Sequence, residues 1–225
     1  MPEARITELN ENEILKYLGY RGQKLGPETE DQLARCRAEI LKAAQPRLVW
    51  KTLPVQAGAI EGMPLGGQDV AGMLAECQEA VLLGATLGAD VERLLMKMEV
   101  VHAADAFVMD ACASTAIENV CNNFEADLRR ETEAKGLYLT DRFSPGYGDL
   151  PLAEQPKFFA ALDMTRRIGV TLSRNHLMVP RKSVTAVMGI SDRPQKHRPA
   201  DCENCLSFRH CPFRKNGVTC RGDRL

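Results

Sequence analysis

Two groups of residues in this chain have the types and spacing for chemistry. The first is Cys202-x2-Cys205-x5-Cys211-x8-Cys220, in a short segment with few apolar residues. So small a segment cannot build a core that offsets its ordering entropy, whereas a bound ion can supply the missing free energy. Four thiolates complete a tetrahedral shell, which leaves His210 a spare donor. The reading is metal ligation by Cys202, Cys205, Cys211 and Cys220. The unequal spacing is not that of two paired zinc knuckles, and the Cys211-Pro212 step matches iron–sulfur runs in which the last cysteine precedes proline. Zinc and an oxidised four-iron cluster carry the same net charge with four thiolates, so the basic surroundings do not separate them. A four-iron cluster is favoured over zinc.

The second group is Arg142-Phe143-Ser144-Pro145-Gly146-Tyr147-Gly148-Asp149-Leu150-Pro151. Proline fixes φ and glycine permits φ > 0, so the stretch reads as a rigid loop. One guanidinium and one phenol on such a loop suit an anionic or polar small molecule, and an ordinary structural turn has the same composition. Upstream, Glu118 closes the mostly apolar Thr115-Ala116-Ile117-Glu118. It is either a solvated glutamate or a carboxylate turned into a cleft to meet an amine or hydroxyl. The following Glu125 to Glu131 reads as a charged helix face with no further role. His102, His176 and His197 are isolated and are given none.

The elements that must position these residues follow from periodicity and punctuation. Asn10 caps a first helix that Gly19 ends, and a second runs from Pro27 to Gln45. Leu48 to Val55 is extended, with Trp50 as a core anchor. A short helix over about Val70 to Cys77 leads to Ala80–Gly88, a buried strand whose Gly84 and Gly88 are weak candidates for a cleft. Asp90 to Val101 is amphipathic, and a long helix spans Ala104 to Lys135; Met96 and Met109 are read as core filler. Leu137 to Thr140 is the strand that delivers the loop. Two short helices follow, the second capped by Asp163. Val170–Leu172, Leu177–Val179 and Val184–Ile190 are strands too close together for crossover helices, so they pair antiparallel. The fold class is α+β, with an antiparallel sheet and flanking helices.

Residues 1–190 are expected to form this domain and 191–225 a metal-bound tail, in which eight Arg or Lys over 193–225 face three Asp or Glu. The whole chain carries a formal charge of −1, and 44% of its 225 residues are hydrophobic. That composition excludes a polyanion-binding surface as the main feature, and no apolar run is long enough for a bilayer span. Nucleic acid and membrane are not expected partners. The polar start Met1-Pro2-Glu3-Ala4-Arg5 lacks a signal-peptide core, so a cytoplasmic protein is expected, where clustered cysteines bind metal rather than pair.

Arg142-x-x-Pro145-Gly146-Tyr147, with Pro151 soon after, resembles the signature of the activation (reactivation) domain of cobalamin-dependent methionine synthase. Glu118 is similar to a helical glutamate upstream of that motif, and Met178-x-Pro180-x-x-Ser183-Val184 resembles a downstream segment at similar spacing. The resemblance covers about residues 85–190; the N-terminal third is weaker, and the tail lies outside the family's domain. A curved antiparallel sheet with flanking helices is implied, and the chain looks like the free-standing versions that accompany shortened methionine synthases or other corrinoid proteins. The resemblance implies a protein of methionine biosynthesis that binds S-adenosylmethionine and presents its methyl group to cob(I)alamin carried by a partner. It assigns Arg142 to the methionine carboxylate and Glu118 to the α-amino group or sulfonium. Phe143, Ser144, Pro145 and Gly146 contact the ligand, Tyr147 is the residue facing the corrin, and Ser183 and Val184 support or close the pocket. An electron donor is implied as a further partner, with the iron–sulfur tail as relay. Family members often have Ala-Cys-Pro where this chain has Asp149-Leu150-Pro151. The competing reading is a non-catalytic docking or scaffold protein with an empty pocket and a structural zinc tail.

Overall fold

The structure is a computed structural model that describes residues 3–20, 22–195, 209, 211–215 and 217. Its frame is a five-stranded antiparallel sheet in the order β2-β1-β3-β7-β4. The strands are β1 (Arg47–Gln56), β2 (Ala59–Ile60), β3 (Glu79–Thr86), β4 (Tyr138–Leu139) and β7 (Ser183–Ser191). A separate hairpin joins β5 (Thr171–Leu172) to β6 (Met178–Val179).

The central strand β3 explains the layering. Every residue from Ala80 to Thr86 is buried, which requires cover on both faces. Alternate residues point to opposite faces of a strand. Val81, Leu83 and Ala85 join Ala186, Met188 and Ile190 of β7 in one core, with helices α1 (Glu11–Tyr17), α2 (Pro27–Ala43), α4 (Ala89–Val101) and α5 (Ala103–Glu133). Ala80 and Leu82 join Val187 in the other, with α3 (Gln68–Leu74), α6 (Gln155–Leu162) and α7 (Met164–Ile168). The expected α+β class with an antiparallel sheet and flanking helices holds, as three layers.

Helix α5 is the longest element at 31 residues. It starts on His102, whose Nδ1 accepts from the Asp105 amide at 3.4 Å, so a histidine given no role is a cap. Trp50 packs against Phe124 of α5, ring centroids 6.1 Å apart, as a core anchor. Three expectations change. Met96 is 56% exposed, unlike the buried Met109. Gly84 lines no cleft: a Cβ there would lie 2.9 Å from the Met164 methyl, so it is a close-packing position. Asp163 does not cap α7 with its side chain; it sits at φ 51° as the left-handed C-cap of α6. Among the described residues no helix is long and apolar enough to cross a membrane.

Candidate functional site

Glu118, Asn122 and Glu125 stand at i, i+4 and i+7 on α5, which puts them on one face of the helix. Arg142 faces them from the chain that leaves β4. Its Nη2 donates to Asn122 Oδ1 at 2.5 Å and to Glu118 Oε2 at 3.3 Å, and its Nε lies 2.9 Å from Glu125 Oε2. Glu118 is thus neither simply solvated nor unpaired. Glu125 is shared with Arg129, whose Nη2 donates to its Oε1 at 3.0 Å. The charged stretch read as inert therefore contributes to the site.

The backbone leading to Arg142 is fixed before it arrives. Arg129 Nη1 donates to the Leu139 carbonyl at 2.7 Å. The Thr140 amide donates to Gly189 O at 2.9 Å, and the Gly189 amide donates back to Thr140 Oγ1 at 2.8 Å. Phe143 then bridges Val187 of β7, its N–H and C=O both paired there at 2.9 and 2.8 Å. A guanidinium aimed by so many fixed groups is preorganised.

Burial opposes the charge on Arg142, but the nearby Cys121, Glu118 and Glu125 outweigh it and raise its pKa above the ordinary value. Burial pushes the Cys121 thiol itself up to about 12, so near pH 7 it is neutral and the two carboxylates are the working counter-charges. The side chain of Glu118 is 41% exposed against 21% for Glu125. Glu118 is therefore the more open of the two carboxylates.

Beyond Phe143 the loop closes on itself. Tyr147 N–H donates to Ser144 O, Gly146 N–H to Leu150 O and Leu150 N–H to Tyr147 O, at 2.9 to 3.1 Å. Pro145 is buried, Ser144 half-buried and Gly146 exposed, and Tyr147 is 71% exposed at the crown. The departure at Asp149-Leu150-Pro151 has a structural reason. Leu150 is buried in the core on the α3 side, and Asp149 accepts from the Gln68 and Asp69 amides at the start of α3.

Ser183 and Val184 lie further along β7, four and three residues before Val187 where Phe143 docks. The Ser183 hydroxyl is buried and engaged with Thr86 Oγ1 and Pro180 O at 2.9 and 2.8 Å; Val184 is half-buried against the α5-side core. Beside them Lys182 Nζ reaches Ser114 Oγ and Asp110 Oδ1 of α5, both at 2.8 Å. Lys182 with Ser114, and Arg142 with Glu118, therefore cross between the sheet side and α5 at successive levels. The structure gathers Glu118, Arg142 and the loop, and leaves Val184 higher along the same seam, whereas Ser183 points to the other face of β7 with Thr185 and Val187. Sequence reasoning missed Asn122 and Glu125; the signal was their spacing from Glu118.

Of the tail cysteines, Cys202, Cys205 and Cys220 lie outside the described residues. Cys211 is half-buried against the α5-side core and precedes α8 (Pro212–Lys215). Among the described residues no three His, Cys, Asp or Glu side chains form a metal-holding group.

No family model matches the chain, and no curated protein matches it in sequence. Among solved structures, the MetH reactivation domain bound to AdoHcy superposes with TM-score 0.58 at 14% identity, over 92% of this chain and 77% of its own. The chain has the fold of that reactivation domain. A nitroreductase family protein from Streptococcus pneumoniae TIGR4 superposes only at TM-score 0.34 with 8% identity, over 88% of this chain and 89% of its own, a likeness too low to bear on the fold.

Proposed function

We propose that this chain binds S-adenosylmethionine at the Arg142–Tyr147 loop and presents its methyl group to cob(I)alamin held by a partner corrinoid protein. It thereby returns a methionine synthase-type enzyme to its working cycle. The observation that carries this reading is the meeting of Glu118 and Arg142 beside that loop. They sit on a fold shared with a reactivation domain described as bound to AdoHcy. The amino-acid end of such a ligand has one ammonium and one carboxylate, and Glu118 and Arg142 are their complements. When Glu118 turns to the ammonium, Asn122 and Glu125 keep Arg142 charged and aimed. Phe143 anchors the loop, with its backbone groups paired with Val187 and its ring packed on the α3-side core. Ser144, Pro145 and Gly146 line the approach, Val184 forms the far wall while Ser183 supports β7 from its other face, and exposed Tyr147 faces the corrin.

The partner's oxidised cob(II)alamin takes one electron from a donor protein. The methyl then passes to the cob(I) form, breaking the S–C bond and leaving its electron pair on sulfur, so S-adenosylhomocysteine is released. Cys202, Cys205, Cys211 and Cys220 would hold a four-iron cluster, in preference to zinc, which would supply a path for that electron. Anaerobically prepared protein is expected to show the broad visible absorbance of thiolate-bound iron and sulfide. A colourless chain with one zinc removes the relay.

Calorimetry with S-adenosylhomocysteine tests the binding site. One site is expected, with affinity at least about tenfold lower in Arg142→Ala, the loss of a charge-assisted hydrogen bond. Arg142→Lys should recover little, because an ammonium cannot replace the planar fork. Unchanged affinity in Arg142→Ala sinks the assigned site. Absent binding in the wild-type chain leaves a non-catalytic docking protein.

A further inference from the structure

We propose that Asp149 is a positioning residue for the Arg142–Tyr147 loop: its carboxylate latches the loop to the start of α3 and so sets the ligand-binding geometry. The ligand rests on the function proposed above; the latch rests on the structure alone. Asp149 Oδ2 accepts from the Gln68 amide at 2.6 Å, and Oδ1 from the Asp69 amide at 3.2 Å. Carboxylate bonds to backbone amides are among the stronger hydrogen bonds.

The two backbones approach at a pair of glycines. At Gly67 (φ 97°) a Cβ would lie 2.6 Å from Asp149 Oδ1 and 3.0 Å from Asp149 O. At Gly148 (φ 51°) a Cβ would lie 2.5 Å from Asp69 Oδ2 and 2.9 Å from Phe143 Cζ. Both positions have left-handed backbone and no room for a side chain, so each segment is shaped to receive the other.

The latch reaches the loop through its own hydrogen bonds. Leu150, next to Asp149, accepts from Gly146 and donates to Tyr147 O. Shifting Asp149 and Leu150 therefore carries Gly146 and Tyr147 with it. The other end of the loop is held separately, by Arg142 on α5. Asp149 fixes the distance between the guanidinium and the exposed phenol without being placed on the ligand itself.

The test uses the full chain and two readouts. In ligand-free protein, Asp149→Ala should speed hydrogen exchange at the Gly146 and Leu150 amides about tenfold or more while α5 and β7 amides keep their protection. With S-adenosylhomocysteine as probe, Asp149→Ala should weaken binding about tenfold, the effect of one lost hydrogen-bonded contact. Asp149→Asn, which keeps a carbonyl oxygen to accept, should recover most of the affinity. Gly67→Ala should act as a block from the other side, and the double variant should bind no worse than the weaker single one. Unchanged exchange in Asp149→Ala overturns the latch. Faster exchange with unchanged affinity, or additive losses in the double variant, overturns the positioning role. If Asp149→Ala does not fold, Asp149→Asn and Gly67→Ala decide by the same two readouts. If wild-type protein binds no S-adenosylhomocysteine, the proposed function falls and the exchange data alone decide whether Asp149 holds the loop.

Discussion

The two faces of the sheet hold the same loop in different ways. On one face a single 31-residue helix, α5, supplies Glu118, Asn122 and Glu125 to Arg142. On the other, the seven-residue α3 supplies two backbone amides to Asp149, and the core beneath takes Leu150. The α5 end is anchored by charge on a long, well-packed element. The α3 end is anchored by main-chain hydrogen bonds and one apolar side chain on a short one. Fewer buried contacts mean easier local opening. The loop's give therefore lies at its α3 end, and its charged contacts at its α5 end.

The largest expected effect is alkaline, and both faces share it. Burial pushes Cys112 and Cys121, on the α5 side, up to about 12, and Cys77, on the α3 side, up to about 11; Cys36 is raised to about 11 as well. Each folded thiol resists ionisation, whereas in the unfolded chain it ionises from its ordinary value near 9.0. The stabilisation is complete below that value and is lost as pH rises through the folded pKa, at about 1.4 kcal/mol per thiol per pH unit. Urea midpoints should drop steeply between about pH 9 and 11. Cys121→Ala and Cys77→Ala should each flatten the decline by about one thiol's share. A decline unchanged in both variants would mean that the buried thiols do not set it.

A smaller effect tests the α3 end directly. Leu150 is 1% exposed among the short helices of that face. Truncation of a buried leucine costs about 2–5 kcal/mol. Leu150→Ala should lower the urea midpoint accordingly and loosen the loop while Arg142 keeps its partners on α5. If amide exchange in the wild-type chain were faster at Phe143 than at Gly146 and Leu150, the assignment of the softer end would be reversed.

Much of this frame was legible in the chain. The run Ala80–Leu83 announced a strand covered on both faces, and the glycines and prolines after Arg142 announced a loop. The partners of Arg142 were less legible, since Asn122 and Glu125 sit in a stretch whose charges look solvated until a guanidinium from elsewhere in the chain faces them. Asp149 looked like a departure from a motif because its task depends on the amides of Gln68 and Asp69, remote in sequence. Side chains that work through long-range main-chain contacts leave no periodicity. His102 was missed for a related reason: histidine is an uncommon cap, so residue type did not signal it.

The smallest expected effect concerns Asp163, between α6 and α7 on the α3 face. Residue type predicts an N-cap, and removing a working cap costs about 1 kcal/mol. The structure gives Asp163 no cap bond; it occupies the left-handed region at φ 51° and pairs with the exposed Arg166 at 2.7 Å. Surface pairs of this kind contribute little, so Asp163→Asn, which tolerates the same backbone, should change stability by less than about 0.5 kcal/mol. Asp163→Gly should raise it slightly, because glycine adopts φ > 0 without a Cβ clash and so suits a helix C-cap. A loss of a few tenths of a kcal/mol in Asp163→Gly, with stability kept in Asp163→Asn, would mean that the side chain caps α7 after all, and that this short-helix face depends on side-chain capping as the α5 face depends on charge.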